Sequence, residues 1–264
     1  MNFNQLFEKT EKSNPIDFGD IFSKSMELYK KVWIQGLVHF LISVVILIPL
    51  VLIMYLMAYI PIIAMVGVVG YEESYGGYPN HIEGVSIGVM ILSGLFVLVI
   101  AMIASALLLG LRAHFYILCR QVDMQLPEEN NYFMFFKKKY LGKIFMLTMA
   151  IFGVILLAVL LCYIPVLYVM VPMQLLVVIF AFNPDISVSE LIKISFKLGN
   201  KIWLMAFLLM LVTSFVTQTV GMMTCGVGLL FVASFAYMPI YYMYKDTIGF
   251  EDESELENMN KLIE

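Results

Sequence analysis

Three histidines are the residues in this sequence best suited to metal or acid–base chemistry. His39 lies a few residues into an apolar stretch, where it serves either as a buried hydrogen-bonding partner or as a functional ligand. His81 and Glu83 belong to a glycine-rich acidic segment that could chelate a cation, although such a segment is usually only solvated. His114 follows Arg112 by two residues, and both side chains could reach lipid phosphates. The pattern predicts no catalytic residue, no metal site and no cofactor.

Polar residues within long apolar stretches form a second set of candidates. Gln174 lies two residues after Pro172, and Gln218 belongs to a group of threonines and serines at residues 213–219. Such residues usually hold membrane helices together through hydrogen bonds. A helix interrupted by proline can also form the substrate site of a transporter. With His39, the two glutamines are the polar residues predicted to lie in the interior.

The composition places these residues in a membrane. Of the 264 residues, 61% are hydrophobic and 14% are charged, whereas a soluble domain has roughly half and a quarter. Cys119, Cys162 and Cys225 are too far apart for a CxxC site and are interpreted as packing residues. The sequence therefore predicts an all-α, polytopic membrane protein with membrane lipids as partners and no nucleic-acid partner.

The first part of the chain predicts an amphipathic helix followed by a pair of spans. Residues 17–33 place apolar side chains at helical spacing. The apolar run of residues 33–66 exceeds the roughly 20 residues that cross a bilayer, so it is predicted to bend near Pro61. Residues 67–86 are predicted to form a loop on the far side. The second span covers about residues 87–111, and its helix continues to about residue 120.

The remaining sequence predicts two further units of the same kind. Residues 132–140 are aromatic and basic, and they lead into the apolar residues 141–182. That run is long enough for two spans, with one bent span as the alternative. Residues 187–201 predict another amphipathic helix. Residues 202–244 then form an apolar hairpin with a break at 217–228.

Capping residues indicate where two of the amphipathic helices begin. Asp17 is a suitable N-cap for the first of them. Ser187 and Glu190 have the spacing of a capping box, in which each side chain accepts a backbone N–H near the other residue. The apolar residues after Ser187 lie on one face and the lysines lie on or near the other. This composition is typical of a helix that lies in a membrane interface.

The distribution of positive charge decides between the alternative topologies. With two spans in residues 141–182 and a turn near residues 163–165, all sixteen Lys and Arg residues fall on one side of the membrane. With one span, the three lysines between residues 193 and 201 would lie on the other side, against the positive-inside rule. The sequence thus predicts six transmembrane helices in three units, each an amphipathic helix and a helical hairpin. It also predicts a location in the inner (cytoplasmic) membrane with both termini cytoplasmic.

These assignments divide the chain and identify its interfacial residues. The predicted parts are an N-terminal cytoplasmic segment (1–16), a six-span domain (17–248, with units at about 17–125, 131–183 and 187–246) and an acidic cytoplasmic tail (249–264). Lysines at the headgroup level and aromatic residues that open a span are common at membrane boundaries. The residues predicted to contact lipid headgroups or the interface are Lys31, Trp33, Arg112, His114, Lys143, Lys193, Lys197, Lys201 and Trp203.

Three parts of the sequence carry a resemblance to a known family. They are residues 18–33, which contain FGDIF and YKKVW, residues 189–203, and residues 226–246, which run from GVG to YKD. These segments resemble the membrane domain fused to some bacterial glycerophosphodiester phosphodiesterases, and many stand-alone bacterial membrane proteins are similar. In the fused proteins, hydrolysis belongs to a separate soluble barrel. The resemblance covers nearly the whole chain and implies a membrane module of unassigned activity.

Three functions remain open from the sequence. The first is a non-catalytic membrane scaffold that binds a protein partner or lipid. The second is a lipid or small-solute transporter that uses the helix containing Pro172. The third is a lipid-modifying membrane enzyme. The first is favoured, because the sequence has neither the charged interior typical of a coupled transporter nor the ligand set of a metalloenzyme.

Overall fold

The computed structural model describes residues 1–13, 15–75, 82–127, 132–161 and 163–250, and these residues form helices without any strand. The all-α prediction is therefore confirmed. The helices are α1 (Phe3–Lys12), α2 (Phe18–Tyr75), α3 (Ile82–Asp123), α4 (Lys138–Leu160), α5 (Ile164–Phe182), α6 (Val188–Met223), α7 (Leu229–Val232) and α8 (Met238–Thr247), with short 3-10 helices at Met134–Phe136 and Ala233–Tyr237.

Five stretches of helix are long and apolar enough to cross a membrane, and they make this chain a polytopic membrane protein. They are Phe18–Ile63, Ile87–Asp123, Lys138–Leu160, Ile164–Phe182 and Val188–Met223. The apolar residues 141–182 form two helices, as the charge distribution predicts. Tyr163 adopts the left-handed conformation between them (φ 61°), and Pro165 lies in the first turn of α5, where its missing N–H costs no hydrogen bond.

The segment predicted as the sixth span is not one helix. Residues 229–247 are divided between α7, a 3-10 helix and α8. The 3-10 helix lies where Ser234 packs directly on the backbone of α2 at Gly36, so closely that a Cβ at that glycine would overlap with the serine side chain. Nearby, the Tyr29 hydroxyl donates to the carbonyl of Phe231 (3.1 Å). These tertiary contacts accompany the change in helix type, and the prediction of six spans is not confirmed.

Two of the predicted amphipathic helices are continuous with the spans that follow them. Asp17 accepts a hydrogen bond from the backbone N–H of Asp20 (2.8 Å) at the start of α2. At the start of α6, Ser187 and Glu190 form the predicted capping box. No break separates the amphipathic part from the span in either helix, although α6 contains Gly199 close to this junction.

The second unit differs from the other two. Its entry contains the 3-10 helix Met134–Phe136 in place of an amphipathic α-helix, and α4 begins directly at Lys138. In the first unit, α2 continues through Pro49 and Pro61 to Tyr75, and α3 starts at Ile82. Residues 67–75 and 82–86 of the predicted loop are thus helical, and residues 76–81 lie outside the described residues.

The described residues form two compact units, the larger lying within Met1–Leu41 and Leu109–Glu264. Helix α5 lies at its centre, and α4, α6 and α8 pack around it. Helix α6 packs tightly on α5 at Gly199, where a Cβ would lie 2.8 Å from Cγ and 3.2 Å from Cα of Pro172. Since α5 is continuous through Pro172, this proline contributes to helix packing and does not interrupt the helix.

Helix α1 packs on the N-terminal half of α6. Leu6 and Thr10 are fully buried. The Lys201 ammonium group donates to the carbonyls of Thr10 (3.2 Å) and Glu11 (2.7 Å). These carbonyls belong to the last turn of α1, which has no helical partners for them. Lys201 therefore caps α1, and the N-terminal segment is an integral part of the larger unit.

The smaller unit, Ile42–Leu108, consists of parts of α2 and α3. Its described side chains are mainly apolar and exposed, for example Val45 (69% exposed) and Leu92 (70% exposed). Exposed apolar surface of this extent is unfavourable in water and favourable in hydrocarbon. These helix parts are consistent with contact to lipid.

Candidate functional site

Helix α3 carries a polar stripe in its C-terminal part. Arg112, Tyr116, Cys119 and Asp123 follow one another at intervals of three or four residues, which places them on one face of the helix. Tyr116 and Cys119 are fully buried, and Arg112 and Asp123 are partly buried. The stripe packs against the 3-10 helix Ala233–Tyr237 and against α8, where it forms two separate polar groups.

The first group surrounds the ring of Tyr237. The guanidinium carbon of Arg112 lies 5.2 Å from the ring centroid, and the ring centroids of Tyr116 and His39 lie 6.2 Å and 6.0 Å away. The imidazole of His39 also stacks on Phe115 at 4.7 Å. We call Gln35, His39, Arg112, Tyr116, Ser234 and Tyr237 the polar cluster. The cluster contains both His39 and Arg112, which the sequence indicates as separate candidates.

Several buried polar atoms of this cluster have no hydrogen-bond partner among the described residues. They are the hydroxyls of Tyr116 and Ser234 and the side-chain carbonyl oxygen of Gln35. Buried hydroxyls are normally hydrogen-bonded, since an unpaired one forfeits its bonds to water. These atoms therefore have unused hydrogen-bonding capacity, and Tyr116 lies one helical turn from Arg112 on the same face of α3.

Arg112 itself has no carboxylate within 4 Å in the part of the chain that the structure describes. Its guanidinium group is half-buried and lies over the face of Tyr237. A cation–π contact compensates only part of the hydration that a buried cation loses. The cluster is therefore electropositive.

The second group is an ion pair reinforced by two tyrosines. The carboxylate of Asp123 accepts hydrogen bonds from the hydroxyls of Tyr241 (2.8 Å) and Tyr242 (2.9 Å) and from the ammonium group of Lys245 (2.8 Å). Its side chain is 12% exposed and that of Lys245 is 25% exposed. We call these four residues the Asp123 clamp, because they attach the end of α3 to α8. The clamp is electrostatically balanced, unlike the polar cluster.

The predicted interior residues occupy different environments. His39 is buried in the polar cluster. Gln174 is half-buried on α5. Gln218 is exposed near the end of α6, so it does not belong to an interior polar group. A hydrophobic segment does not reveal which of its faces packs on protein, and this explains the difference.

Several predicted headgroup residues contact protein in this structure. His114 is 1% exposed, and its ring lies 4.8 Å from that of Tyr132. Lys143 donates to the carbonyl of Pro184. Lys197 pairs with Glu11 (3.2 Å). The indole N–H of Trp203 donates to the carbonyl of Tyr168 (3.1 Å).

Other predicted headgroup residues remain exposed. Trp33 is 41% exposed and lies 6.5 Å from the ring of Phe231. Five exposed lysines have no carboxylate within 4 Å in the described ranges, and we call them the basic surface: Lys30, Lys31, Lys137, Lys138 and Lys193. They lie in the N-terminal parts of α2, α4 and α6, except Lys137, which is the residue just before α4.

Contacts within the larger unit bring these helix ends together. Lys139, at the start of α4, pairs with Asp185 just before α6 (3.0 Å). Lys24, near the start of α2, pairs with Asp246 at the end of α8 (3.1 Å). The ring of Phe182, at the end of α5, lies 5.0 Å from that of Tyr244 in α8. The basic surface therefore lies at one end of the larger unit.

Metal chemistry finds no support among the described residues, where no three His, Cys, Asp or Glu side chains form a group that could hold a metal ion. His81 and the side chain of Glu83 lie outside the described part of the chain, as do Cys162 and residues 251–264 of the predicted tail.

Comparisons of this chain with protein-family models, with curated proteins and with solved structures found no match. The resemblance to the membrane domain of glycerophosphodiester phosphodiesterases thus stays a prediction. The structural features that bear on function are the polar cluster, the Asp123 clamp and the basic surface.

Proposed function

We propose that this chain is a non-catalytic membrane module that binds anionic lipid through its basic surface. The observation that supports the proposal is the group of exposed lysines without acid partners at one end of the larger unit. Apolar helix surface adjoins them, as shown by Trp33 and Ile34, which are 41% and 55% exposed. A cation next to lipid-facing surface gains about 1 kcal/mol from an anionic leaflet.

Lysines of the basic surface are expected to determine the affinity for anionic lipid. Replacing Lys31, Lys137 and Lys193 together by glutamine should raise the apparent dissociation constant for phosphatidylglycerol by up to about 100-fold, at about 1 kcal/mol for each lysine. The effect should shrink as salt screens the exposed charges. Titration of the purified protein in uncharged detergent, followed by native mass spectrometry, measures the bound lipid.

A matched control removes the same number of charges from lysines that already have acid partners. Lys12 pairs with Glu8 (2.6 Å) and Lys24 with Asp20 (2.6 Å), while Lys139 pairs with Asp185. Replacing these three lysines by glutamine should change phosphatidylglycerol binding much less. An equal loss in both triple variants would mean that only net charge matters, and the proposed surface would be rejected.

The proposed orientation places the basic surface on the cytoplasmic side of a bacterial inner membrane. Cys225 is exposed in the turn after α6, at the opposite end of that helix from Lys193. In a Cys162→Ser background, an impermeant thiol reagent should therefore label Cys225 in intact spheroplasts. A cysteine introduced by Lys137→Cys, with Cys225→Ser, should be labelled only after permeabilisation.

Buried Cys119 is present in both labelling variants, so the parent with Cys162→Ser and Cys225→Ser measures its background. Labelling of the residue 137 variant in intact spheroplasts would reverse the proposed orientation. Labelling of both positions would show a mixed insertion, which is incompatible with a single positive-inside topology.

A further inference from the structure

The polar cluster combines a cation that lacks an acid with hydroxyls that lack partners. Burying an unpaired charge is costly, and proteins usually compensate it with a counter-ion. Another partly buried cation close to α3, Lys245, has Asp123 as its counter-ion at 2.8 Å. Arg112 lies about three turns before Asp123 on α3. No described carboxylate lies close enough to serve as the counter-ion of Arg112.

Each of three helical elements contributes a pair of residues to this cluster. Arg112 and Tyr116 are four residues apart on α3, as are Gln35 and His39 on α2, so each pair shares a helix face. Ser234 and Tyr237 are three residues apart in a 3-10 helix, where side chains at that spacing eclipse. His39, Arg112 and Tyr116 lie around the ring of Tyr237, and Ser234 packs against Gly36, which follows Gln35 in α2.

The unused atoms are mostly hydrogen-bond donors. Tyr116 is 0% exposed and Ser234 is 2% exposed, and the hydroxyl of each has no partner among the described residues. A hydroxyl can donate one hydrogen bond, and a guanidinium group can donate several in a fixed fork. A phosphate group offers at least three acceptor oxygens and a negative charge, whereas a carboxylate offers only two oxygens.

We propose that the polar cluster binds one phosphate group, to which Arg112, Tyr116 and Ser234 donate hydrogen bonds. The phosphate is either the monoester headgroup of a lipid such as phosphatidic acid or free inorganic phosphate, since both present at least three terminal acceptor oxygens. The site is distinct from the basic surface, and the proposal does not depend on lipid binding there. Arg112 supplies the counter-charge and the two hydroxyls fix the orientation of the bound group.

The test measures the stabilisation that a ligand of the folded state confers. Thermal unfolding of the full chain is recorded in uncharged detergent with increasing sodium phosphate, with ionic strength held constant by sodium chloride. A second series uses dihexanoyl phosphatidic acid, and dihexanoylglycerol serves as the matched probe without phosphate. The midpoint of unfolding should rise with at least one phosphate-bearing probe and stay unchanged with dihexanoylglycerol.

Two variants of the cluster should weaken this response. Arg112→Gln is expected to raise the half-saturating concentration about tenfold or more, as the loss of a hydrogen bond to a charged group does. Tyr116→Phe keeps the ring and removes only the hydroxyl, which also donates to the charged phosphate, so a rise of about tenfold is expected here too. This conservative variant keeps the test decisive if Arg112→Gln does not fold.

The controls separate this site from the basic surface. The triple variant of Lys31, Lys137 and Lys193 should keep the full response to phosphate, whatever it does to phosphatidylglycerol binding. A response to inorganic phosphate identifies free phosphate as sufficient, and a response to phosphatidic acid alone identifies the lipid headgroup. No response to either probe, or a response that persists unchanged in Arg112→Gln and Tyr116→Phe, would overturn the proposal.

Discussion

Replacing Asp123 by alanine is expected to lower the free energy of unfolding by about 3 kcal/mol, the usual cost of removing one partner of a buried ion pair. The change leaves the ammonium group of Lys245 without its counter-ion at 2.8 Å. It also leaves the hydroxyls of Tyr241 and Tyr242 without the acceptor that they share. Denaturation of the purified protein in mixed micelles, followed by circular dichroism, measures the difference.

The neighbouring ion pair supplies the control for this measurement. Asp246 pairs with Lys24 at 3.1 Å, but both side chains are more exposed than Asp123. Asp246→Ala should therefore cost at most about 1 kcal/mol, as exposed pairs do. Equal losses for Asp123→Ala and Asp246→Ala would mean that the Asp123 clamp contributes no more than a surface pair.

A double variant tests whether the loss arises from the unpaired lysine. Lys245→Met removes the charge and keeps a long apolar side chain. Combined with Asp123→Ala, it should recover part of the stability that Asp123→Ala alone loses, because contacting residues are not additive. If the double variant is as unstable as the sum of the single ones, the lysine charge is not responsible.

The sequence predicts the helices well, because the length and charge of apolar segments constrain them strongly. Residues 141–182 could form one bent span or two, and the lysines after residue 187 favour two. The structure ends α4 at Leu160 and starts α5 at Ile164. Capping residues also predict where two helices begin. The side chains of Asp17 and Ser187 accept hydrogen bonds from the backbone N–H groups three residues later, as expected.

Composition does not predict how residues 229–247 fold. An apolar segment of this length fits one span. Pro239 is the one proline in it that could indicate a helix break, and a proline is also tolerated in the first turn of a helix. The 3-10 helix there packs against Gly36 and is therefore set by a contact between residues almost 200 positions apart. Hydrophobicity carries no information about such a contact.

The candidate site was partly visible in the sequence. The intervals between Arg112, Tyr116, Cys119 and Asp123 indicate one helix face, so the stripe on α3 could have been recognised. Tyr237 and Ser234 could not, because only the fold brings the 3-10 helix against α2 and α3. The pairing of His39 with Arg112 depends on that same tertiary contact.

The N-terminal half of α6 shows a further limit of amphipathic patterns. Its apolar face was predicted to lie in the membrane interface, but Leu191, Ile194 and Leu198 are all fully buried within the protein. Lys197 and Lys201 contact α1 on the polar side. A helix that lies on lipid and a helix that lies on protein need the same apolar stripe, and the sequence alone does not distinguish them.

Replacing Leu198 by aspartate is therefore expected to destabilise the larger unit as a whole. The side chain is 0% exposed, and the next residue, Gly199, packs tightly on Pro172 of α5. The variant loses the burial of a leucine and introduces a carboxylate without a partner, so we expect a loss of at least about 4 kcal/mol. Denaturation in mixed micelles, with the signal of all helices followed by circular dichroism, measures it.

The lipid dependence of this loss distinguishes packing on protein from docking on lipid. Lys193→Asp places a carboxylate on the exposed face of the same helix, and it should change the stability by at most about 0.5 kcal/mol. Hydrogen exchange of residues 188–201 is then compared in zwitterionic and anionic nanodiscs across a salt series. For Leu198→Asp, the loss of protection should extend to α5 and be the same in both lipids, because the contacts that it breaks lie within the protein. Loss of protection confined to residues 188–201 that varies with lipid charge would instead show that this helix is held by the membrane surface.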